Sequence, residues 1–394
     1  MKICIVTNYH EEATSYLYKH LSEQHDVSII YLVNSGNKKT HIFDLSIVPE
    51  GHYGLVEPAL SRAVLEPYTS YLTNTSKIRF YVFSNKGYSS GINYKLFSRL
   101  SKILKQERYN LVHIIGQNPF LMVLHYGLGN TPIVQTLHES YAHLGKTHWS
   151  TRLFMRYLKS GNVKMIFHSE NTRNRFYRGN EKRYHESAVI PLGFHEILGV
   201  FRKNSLPTLN KTILFLGYVK PYKGVEYLVD AFNQVRERIA DAHLLIAGKW
   251  SMPELYESIK ERKDITIINK VVDVEDMVEL VQQCYFIVCP YVTASQSGAP
   301  LTAFEFDKPI ITTDVEGLSD MVEHGVNGFV VKKQNAASLA DAIEELLINE
   351  SLYSEFISNI NKFRLTSGKY TQSVINKTVS VYRNAMGISS LEHD

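Results

Sequence analysis

Two stretches of this 394-residue chain place small and basic residues where an apolar run gives way to a helical period. The first is Gly217-Tyr-Val-Lys-Pro-Tyr-Lys-Gly224. Gly217 permits a tight turn, and Lys220 and Lys223 stand at the start of the next helix. Cations that serve only a helix dipole belong in its last turn, so two in the first turn point to an anion between them. A diphosphate fits that description. The stretch is neither a Walker loop nor a dinucleotide fingerprint, because Gly-Lys-Ser/Thr and Gly-x-Gly-x-x-Gly are both absent. The second is Pro290-Tyr-Val-Thr-Ala-Ser-Gln-Ser-Gly-Ala-Pro300. Its small residues Ser295, Ser297 and Gly298 expose backbone N–H groups, and Pro300 suits a first helical turn, an arrangement that attracts phosphate. A third candidate is His138, in Thr136-Leu-His-Glu139 at the end of a strand, placed to face a cleft and act on a leaving group or sugar. Each has a plain structural alternative: surface lysines in a turn, an ordinary helix cap, a hydrogen-bonded histidine.

The elements that position these residues alternate. Residues 3–7, 27–33, 78–83, 111–115, 133–136 and 164–168 read as strands in the first half, with helices at 12–24 and 93–106. In the second half, strands at 212–217, 243–247, 265–268, 286–289, 310–312 and 329–331 alternate with helices at 224–238, 275–283 and 336–349. Strand–helix alternation implies parallel sheets, and twelve strands exceed one tidy sheet. The expected fold class is therefore α/β, with two Rossmann-like domains facing across a cleft. The polar stretch 201–211, with Pro207, divides them. The domains are residues 1–200, residues 201–370, and a terminal segment 371–394 whose helix packs back on the first domain.

Composition narrows the class. With 44% hydrophobic and 21% charged residues the chain is globular, and no apolar run approaches the length of a membrane span. The first apolar run is too short for a signal-peptide core, so a cytoplasmic protein is expected. Cys4, Cys284 and Cys289 lie in apolar runs without metal-type spacing, as expected of buried, reduced thiols. The net charge of +4 hides an asymmetry: residues 1–187 carry 23 Lys/Arg against 13 Asp/Glu, leaving 20 against 26 of the chain's 43 and 39 for the remainder. Residues 140–185 alone hold ten basic and two acidic side chains. Either this is a solvated surface, or it meets anionic lipid headgroups or an anionic acceptor at the inner face of the cell membrane. No nucleic-acid motif accompanies the charge.

The order of five motifs is similar to that of the large group-one (family four type) of retaining glycosyltransferases. They are Leu137-His-Glu139, Val189-Ile-Pro-Leu-Gly193, Phe215-Leu-Gly-Tyr-Val-Lys-Pro-Tyr-Lys-Gly224, Leu245-Ile-Ala-Gly248 and Lys308-Pro-Ile-Ile-Thr-Thr-Asp-Val-Glu-Gly317. The resemblance spans nearly the whole chain and is strongest in the second half. It implies the GT-B fold of two Rossmann-like domains, the first binding acceptor and the second a nucleoside-diphosphate sugar. It implies that Lys223 and Lys220 neutralise the donor diphosphate, that Ser295, Gln296, Ser297 and Gly298 supply backbone amides to it, and that His138 lies by the donor sugar. It also implies transfer with retention, no cofactor and no obligatory metal, the diphosphate helping to deprotonate the acceptor.

The sequence departs from the family's pair of glutamates eight positions apart, which face the donor sugar and the ribose. Ala294 and Thr302 occupy those positions, as in a subgroup carrying Ser-Gln-Ser-Gly, and Glu305, one turn on, is a candidate for the ribose contact. The loop Asn8-Tyr-His-Glu-Glu12 lacks the usual glycine pair. The expected partners are a nucleotide-sugar donor, a glycan or lipid-linked acceptor and an anionic membrane surface, in surface-polysaccharide or glycolipid assembly. A sugar-nucleotide epimerase of the same fold and a non-catalytic glycosyltransferase-like subunit are the competing readings, since fold alone does not fix function.

Overall fold

The computed structural model describes residues 1–394 except 9, 87–90, 139–148, 161–162, 180–183, 185, 210, 295–296 and 389–394. Two sheets are formed. The first contains β1 (Lys2–Thr7), β2 (Asp26–Asn34), β3 (Gly54–Leu55), β4 (Ile78–Phe83), β5 (Leu111–Ile115), β6 (Ile133–Leu137), β7 (Lys164–Phe167) and β8 (Ala188–Val189). Their order is β3-β4-β2-β1-β5-β6-β7-β8, and only the β3–β4 pair is antiparallel. The second contains β9 (Thr212–Leu216), β10 (His243–Ala247), β11 (Ile265–Ile268), β12 (Phe286–Cys289), β13 (Ile310–Thr313) and β14 (Gly328–Val331), all parallel in the order β11-β10-β9-β12-β13-β14.

Parallel strands are covered on both faces by their crossover helices, so they read as apolar runs rather than alternating ones. In β1, with sequence Lys-Ile-Cys-Ile-Val-Thr, every residue after Lys2 is buried. The strands β3 and β8 have two residues each, too few to show a period in the sequence. In both sheets the order reverses beside the first strand, between β1 and β5 and between β9 and β12. Loops leaving the carboxyl ends on either side of such a reversal flank a crevice where ligands bind.

The chain divides into two compact units, Met1–Gly193 with the stretch from Lys369 onward, and Phe194–Gly368. The first division falls ahead of the polar stretch 201–211, because Ile197 and Leu198 in the short helix Glu196–Phe201 are fully buried. That helix packs on the helices Val274–Gln283 and Ala299–Glu305 of the second unit. The second division lies within the helix Ser367–Ala385. Val374, Thr378 and Tyr382, spaced by four, share a buried stripe with Ile375 and Val379.

Hydroxyl groups fix this helix on the first unit. Tyr16 donates to Thr371 Oγ1 at 2.7 Å, and Tyr370 donates to the Leu192 carbonyl at 2.7 Å. The fully buried Tyr382 hydroxyl lies 2.7 Å from His113 Nδ1, whose Nε2 lies 2.7 Å from Thr136 Oγ1. His113 is in the middle of β5, so burial, with a smaller repulsion from His168, pushes its pKa down to about 3.

The sign of the resulting pH dependence follows from the direction of that shift. Neutral His113 contributes stability that is complete above the unfolded value near 6.5 and is lost as pH falls towards the folded one. Urea melts between pH 6.5 and 4.5 should show a steeper acid loss in the parent than in His113→Gln. The expected difference is up to about 1.4 kcal/mol per pH unit. Equal slopes would mean that His113 titrates normally in the fold.

Candidate functional site

In the second unit, the adjacency of β9 and β12 brings both phosphate-type loops to one place. Gly217 directly follows β9 with φ 134° and donates to the Ala247 carbonyl at 2.9 Å. Residues Pro221–Lys223 form one short 3-10 turn, and Gly224 closes it at φ 66° before the helix Val225–Arg238. A side chain at Gly224 would put its Cβ 2.0 Å from the Pro290 carbonyl oxygen, so only glycine allows the loops to touch here. Val292 N–H donates to the Tyr222 carbonyl at 2.9 Å, and Thr313 Oγ1 donates to the Tyr291 carbonyl at 2.6 Å, tying in the end of β13.

Lys223 is half-buried, with Nζ 3.6 Å from the ring centroid of the buried Tyr291. The ring's negative face holds the ammonium without cancelling its charge, unlike a carboxylate. Lys220 is exposed, with Nζ 5.4 Å from the Tyr218 ring. The two lysines therefore differ: Lys223 is fixed at the meeting of the loops, and Lys220 stands outside.

The loop after β12 requires three corrections. Ser295 and Gln296 lie outside the described residues. Ser297 N–H, expected to face phosphate, donates to the Gly317 carbonyl at 3.3 Å, and Ser297 Oγ accepts from Ala299 N–H at 3.3 Å. Gly298 has φ −79°, ordinary right-handed backbone that any residue adopts. Glycine is needed there for space: a Cβ would lie 2.4 Å from His195 Cε1. His195 Nδ1 is in turn 2.9 Å from Thr302 Oγ1, and both side chains are buried. Thr302, expected at the ribose position, is thus engaged by His195. Glu305, the other ribose candidate, is buried with Oε1 3.7 Å from both Arg202 and Arg364, and Arg202 also donates to its carbonyl. Burial raises its pKa, partly offset by these two cations. Its place is in an ion cluster that holds the short helix Ala299–Glu305 to the elements beneath it.

His195 was not singled out from the sequence, although it follows the Val189–Gly193 motif by two positions. It is separated by 107 residues from Thr302. No local pattern announces such a pair.

In the first unit, His138 follows β6 and is buried. Its ring stacks on His10 with centroids 3.7 Å apart and lies 4.4 Å from His168. Neither ring nitrogen has a hydrogen-bond partner among the described residues. Burial first, then repulsion from His10, His168 and His113, holds its pKa well below 6.5, so the imidazole is neutral at ordinary pH. His138 and His168 also line a small pocket of about 40 Å³. A neutral imidazole there offers one donor and one acceptor, but no cation. The thiols are unsuited to nucleophilic work, since burial pushes Cys4 and Cys284 up to about 12 and Cys289 to about 11.

The basic stretch resolves into distinct faces. The helix Trp149–Ser160 buries Ser150, Phe154 and Leu158, while Arg152 and Arg156 are exposed beside Trp149 (63% exposed) and Leu153 (45%). Lys159 does not share that face: it is half-buried, with Nζ 5.3 Å from the Phe176 ring, and burial lowers its pKa. No described helix is long and apolar enough to cross a membrane.

Comparison with known proteins agrees with this anatomy. Residues 11–195 match the family described as glycosyltransferase family 4, and residues 210–349 match glycosyl transferases group 1. An uncharacterized glycosyltransferase of Methanocaldococcus jannaschii is 27% identical over 200 residues, 50% of this chain and 51% of that protein. One from Haemophilus influenzae is 24% identical over 307 residues, 75% of this chain and 82% of the relative. The chain thus spans from about half to four-fifths of these relatives' length. Among solved structures, Anabaena HepE in complex with UDP-glucose superposes with a TM-score of 0.67 at 15% identity, over 97% of this chain and 99% of that one. The shared fold is GT-B, two parallel-sheet α/β domains.

The contact beneath Gly298 can be tested by stability alone. Gly298→Ala should cost about 1–3 kcal/mol by overpacking, although its backbone angles suit alanine. In a His195→Ala background the same substitution should cost less than about 0.5 kcal/mol. A cost unchanged by loss of His195, in urea or thermal melts, would place the strain elsewhere.

Proposed function

This chain belongs to the group 1 glycosyltransferases, and we propose that it transfers a sugar from a nucleoside-diphosphate sugar to an acceptor with retention. The observation that carries the reading is the meeting of residues 222–224 with residues 290–292 at the β9–β12 reversal, with Lys223 held on the Tyr291 ring. In the reaction, the bond between the sugar's anomeric carbon and the diphosphate oxygen breaks. A bond from the acceptor oxygen to that carbon forms on the same face, and the acceptor's proton passes to the departing diphosphate. Negative charge grows on the diphosphate, so a fixed cation there lowers the barrier by electrostatic preorganisation. Lys223 supplies that cation, Lys220 a second and more mobile one, and Gly217 and Gly298 the close-packed backbone around them. The reading needs no cofactor and no obligatory metal.

Thr302 and Glu305 act indirectly here: Thr302 orients His195 under Gly298, and Glu305 anchors the helix that begins there. His138, whose buried nitrogens await partners, is assigned to hydroxyls of the transferred sugar. HepE, similar in fold, was crystallised with UDP-glucose, which supports a nucleotide-sugar donor for this chain too. The reading extends to surface-polysaccharide or glycolipid assembly. The exposed Trp149, Arg152, Leu153 and Arg156 combine an interfacial aromatic, an aliphatic and two cations, the mixture that binds anionic membrane surfaces peripherally.

Calorimetric titration with uridine, guanosine and thymidine diphosphates should find a cognate nucleotide. Lys223→Ala should weaken it by roughly ten- to a hundredfold, the effect of losing a charge-assisted contact of about 1.5–3 kcal/mol, and Lys220→Ala by less. Normal binding by both variants would remove the site. With a nucleotide sugar, diphosphate should be released only when acceptor is present, whereas an epimerase would turn over without one.

The membrane surface has its own test. Arg152→Gln with Arg156→Gln should reduce sedimentation with vesicles rich in phosphatidylglycerol, and added salt should have the same effect on the parent. Trp149→Ala should weaken binding with little change in salt dependence. Vesicle binding equal to the parent's in both variants would leave only a solvated surface.

A further inference from the structure

At the strand ends of the first unit a large cavity and a small pocket are separated by the side chain of His10. The cavity, of about 670 Å³, lies at the carboxyl ends of β1, β2, β4 and β5. Its wall is rich in carboxamides, among them Asn8, Asn34, Asn85, Gln117 and Asn118. The pocket is the space of about 40 Å³ beside His138 and His168. His10 lines the cavity but not the pocket, and His138 lines the pocket but not the cavity. The two rings touch, with centroids 3.7 Å apart and planes 23° from parallel. His10 is thus the partition.

The stack His10–His138–His168 is held unequally along its length. At its base, His168 Nδ1 lies 2.8 Å from the Ile190 carbonyl, and burial pushes the ring's pKa down to about 4. A carbonyl only accepts, so Nδ1 carries the proton and Nε2 remains an acceptor. His138, in the middle, lies 4.4 Å from His168 and is only 5% exposed. Neither of its nitrogens, nor His168 Nε2, has a hydrogen-bond partner among the described residues. Folded proteins rarely leave such atoms empty. A neutral imidazole with both a donor and an acceptor in reserve suits a hydroxyl, which gives and takes a hydrogen bond.

The outer ring is placed differently. His10 is exposed, and its backbone is left-handed, with φ 57° and ψ 56°. A side chain keeps that conformation only where its surroundings impose it. Here they are the first turn of the helix Glu11–Ser22. Thr14 donates to the His10 carbonyl through its N–H at 2.9 Å and through Oγ1 at 3.0 Å, and Glu12 pairs with His41. The main chain at His10 is therefore fixed, and rotation about its Cα–Cβ bond is the movement left to the ring. Size makes that movement matter. The pocket has room for a water molecule or two, whereas small-molecule sites run to about 300–1,000 Å³. Turning His10 outwards joins the pocket to the cavity.

We propose that His10 is a movable cover on His138, closing it off from the larger cavity until a sugar hydroxyl takes one of its ring nitrogens. That the sugar is the one transferred rests on the transferase reading, whereas the cover does not. Each sugar that reaches His138 must displace the ring, so apparent affinity falls by the fraction of chains in which the ring already stands aside.

Carbethoxylation with diethyl pyrocarbonate, followed on the full chain by peptide mass spectrometry, reads the cover directly. The reagent needs an accessible neutral imidazole, and burial keeps His138 neutral. In His10→Asn the ring is gone, while asparagine tolerates a left-handed backbone and suits a helix cap. His138 should then react roughly fivefold faster than in the parent, or more. His10→Phe keeps a ring over His138 and should react at the parent's rate. His113, buried with both nitrogens engaged, should stay equally slow in all three proteins, which separates uncovering from loosening of the fold. Where His113 speeds up, His10→Gly replaces the asparagine variant. Equal His138 rates in the parent and His10→Asn, or a His10→Phe as fast as His10→Asn, would overturn the proposal. The sugar's part is read by calorimetry with the cognate nucleoside diphosphate and its glucose, galactose, mannose and N-acetylglucosamine esters. His10→Asn should tighten a nucleotide sugar roughly threefold or more relative to the bare diphosphate, since only the sugar meets the cover. An unchanged ratio would overturn the role in sugar binding. If no nucleoside diphosphate binds the parent, the transferase reading falls and the carbethoxylation rates still decide the cover.

Discussion

The close pass of Gly224 against the Pro290 carbonyl is the constraint on which the proposed donor site depends. The pairing of β9 with β12 fixes where the two loops begin, but pairing alone leaves them free to splay. With no side chain at Gly224 the backbones come into contact, and the hydrogen bond from Val292 to Tyr222 joins them. Tyr291 is then held where its ring receives Lys223. A cation placed this way is already oriented before a diphosphate arrives. Its rotamer entropy, of order 1.5–2 kcal/mol for a lysine, is largely lost on folding rather than on binding.

Beneath this layer, support comes from a chain of buried polar contacts. His195 fills the space under Gly298 and meets Thr302, while Glu305 at the other end of the same short helix meets Arg202 and Arg364. A seven-residue helix has little stability of its own. Its place is set by what grips it at each end. Where related sequences carry two glutamates, this one has Ala294 and Thr302, and the contacts of Thr302 run inward. In the proposed donor site, recognition of the nucleotide would therefore rely on cations and backbone more than on carboxylates.

The first unit follows another logic. Its strand ends carry a buried, neutral His138 stacked on His10 and a wall rich in carboxamides around the larger cavity. Part of the positive charge that dominates its composition is exposed, at Arg152 and Arg156 on the helix Trp149–Ser160, while Lys159 of the same helix is turned inward against Phe176. Net charge counted along a chain sums groups that face different surroundings, and only burial separates them.

The sequence by itself determined the strands, the two parallel sheets and the loops worth examining, because these depend on periods of two to four residues and on glycine, proline and lysine at strand ends. The long strands lie within a residue or two of where the apolar runs placed them, and Gly217, Lys220 and Lys223 were legible as a group. What remained hidden depends on partners far apart in the chain. His195 beneath Gly298, the Glu305 ion cluster, the inward turn of Ser297 N–H towards Gly317 and the carboxamide wall assembled from four strand ends have no local period. Gly298 was noticed as a small residue before a helix, but the reason for glycine there is an imidazole from a distant segment that takes the space of a side chain. Tertiary packing decided these points, since a side chain's role follows from what it touches, and those contacts exist only once the sheets have brought distant loops together.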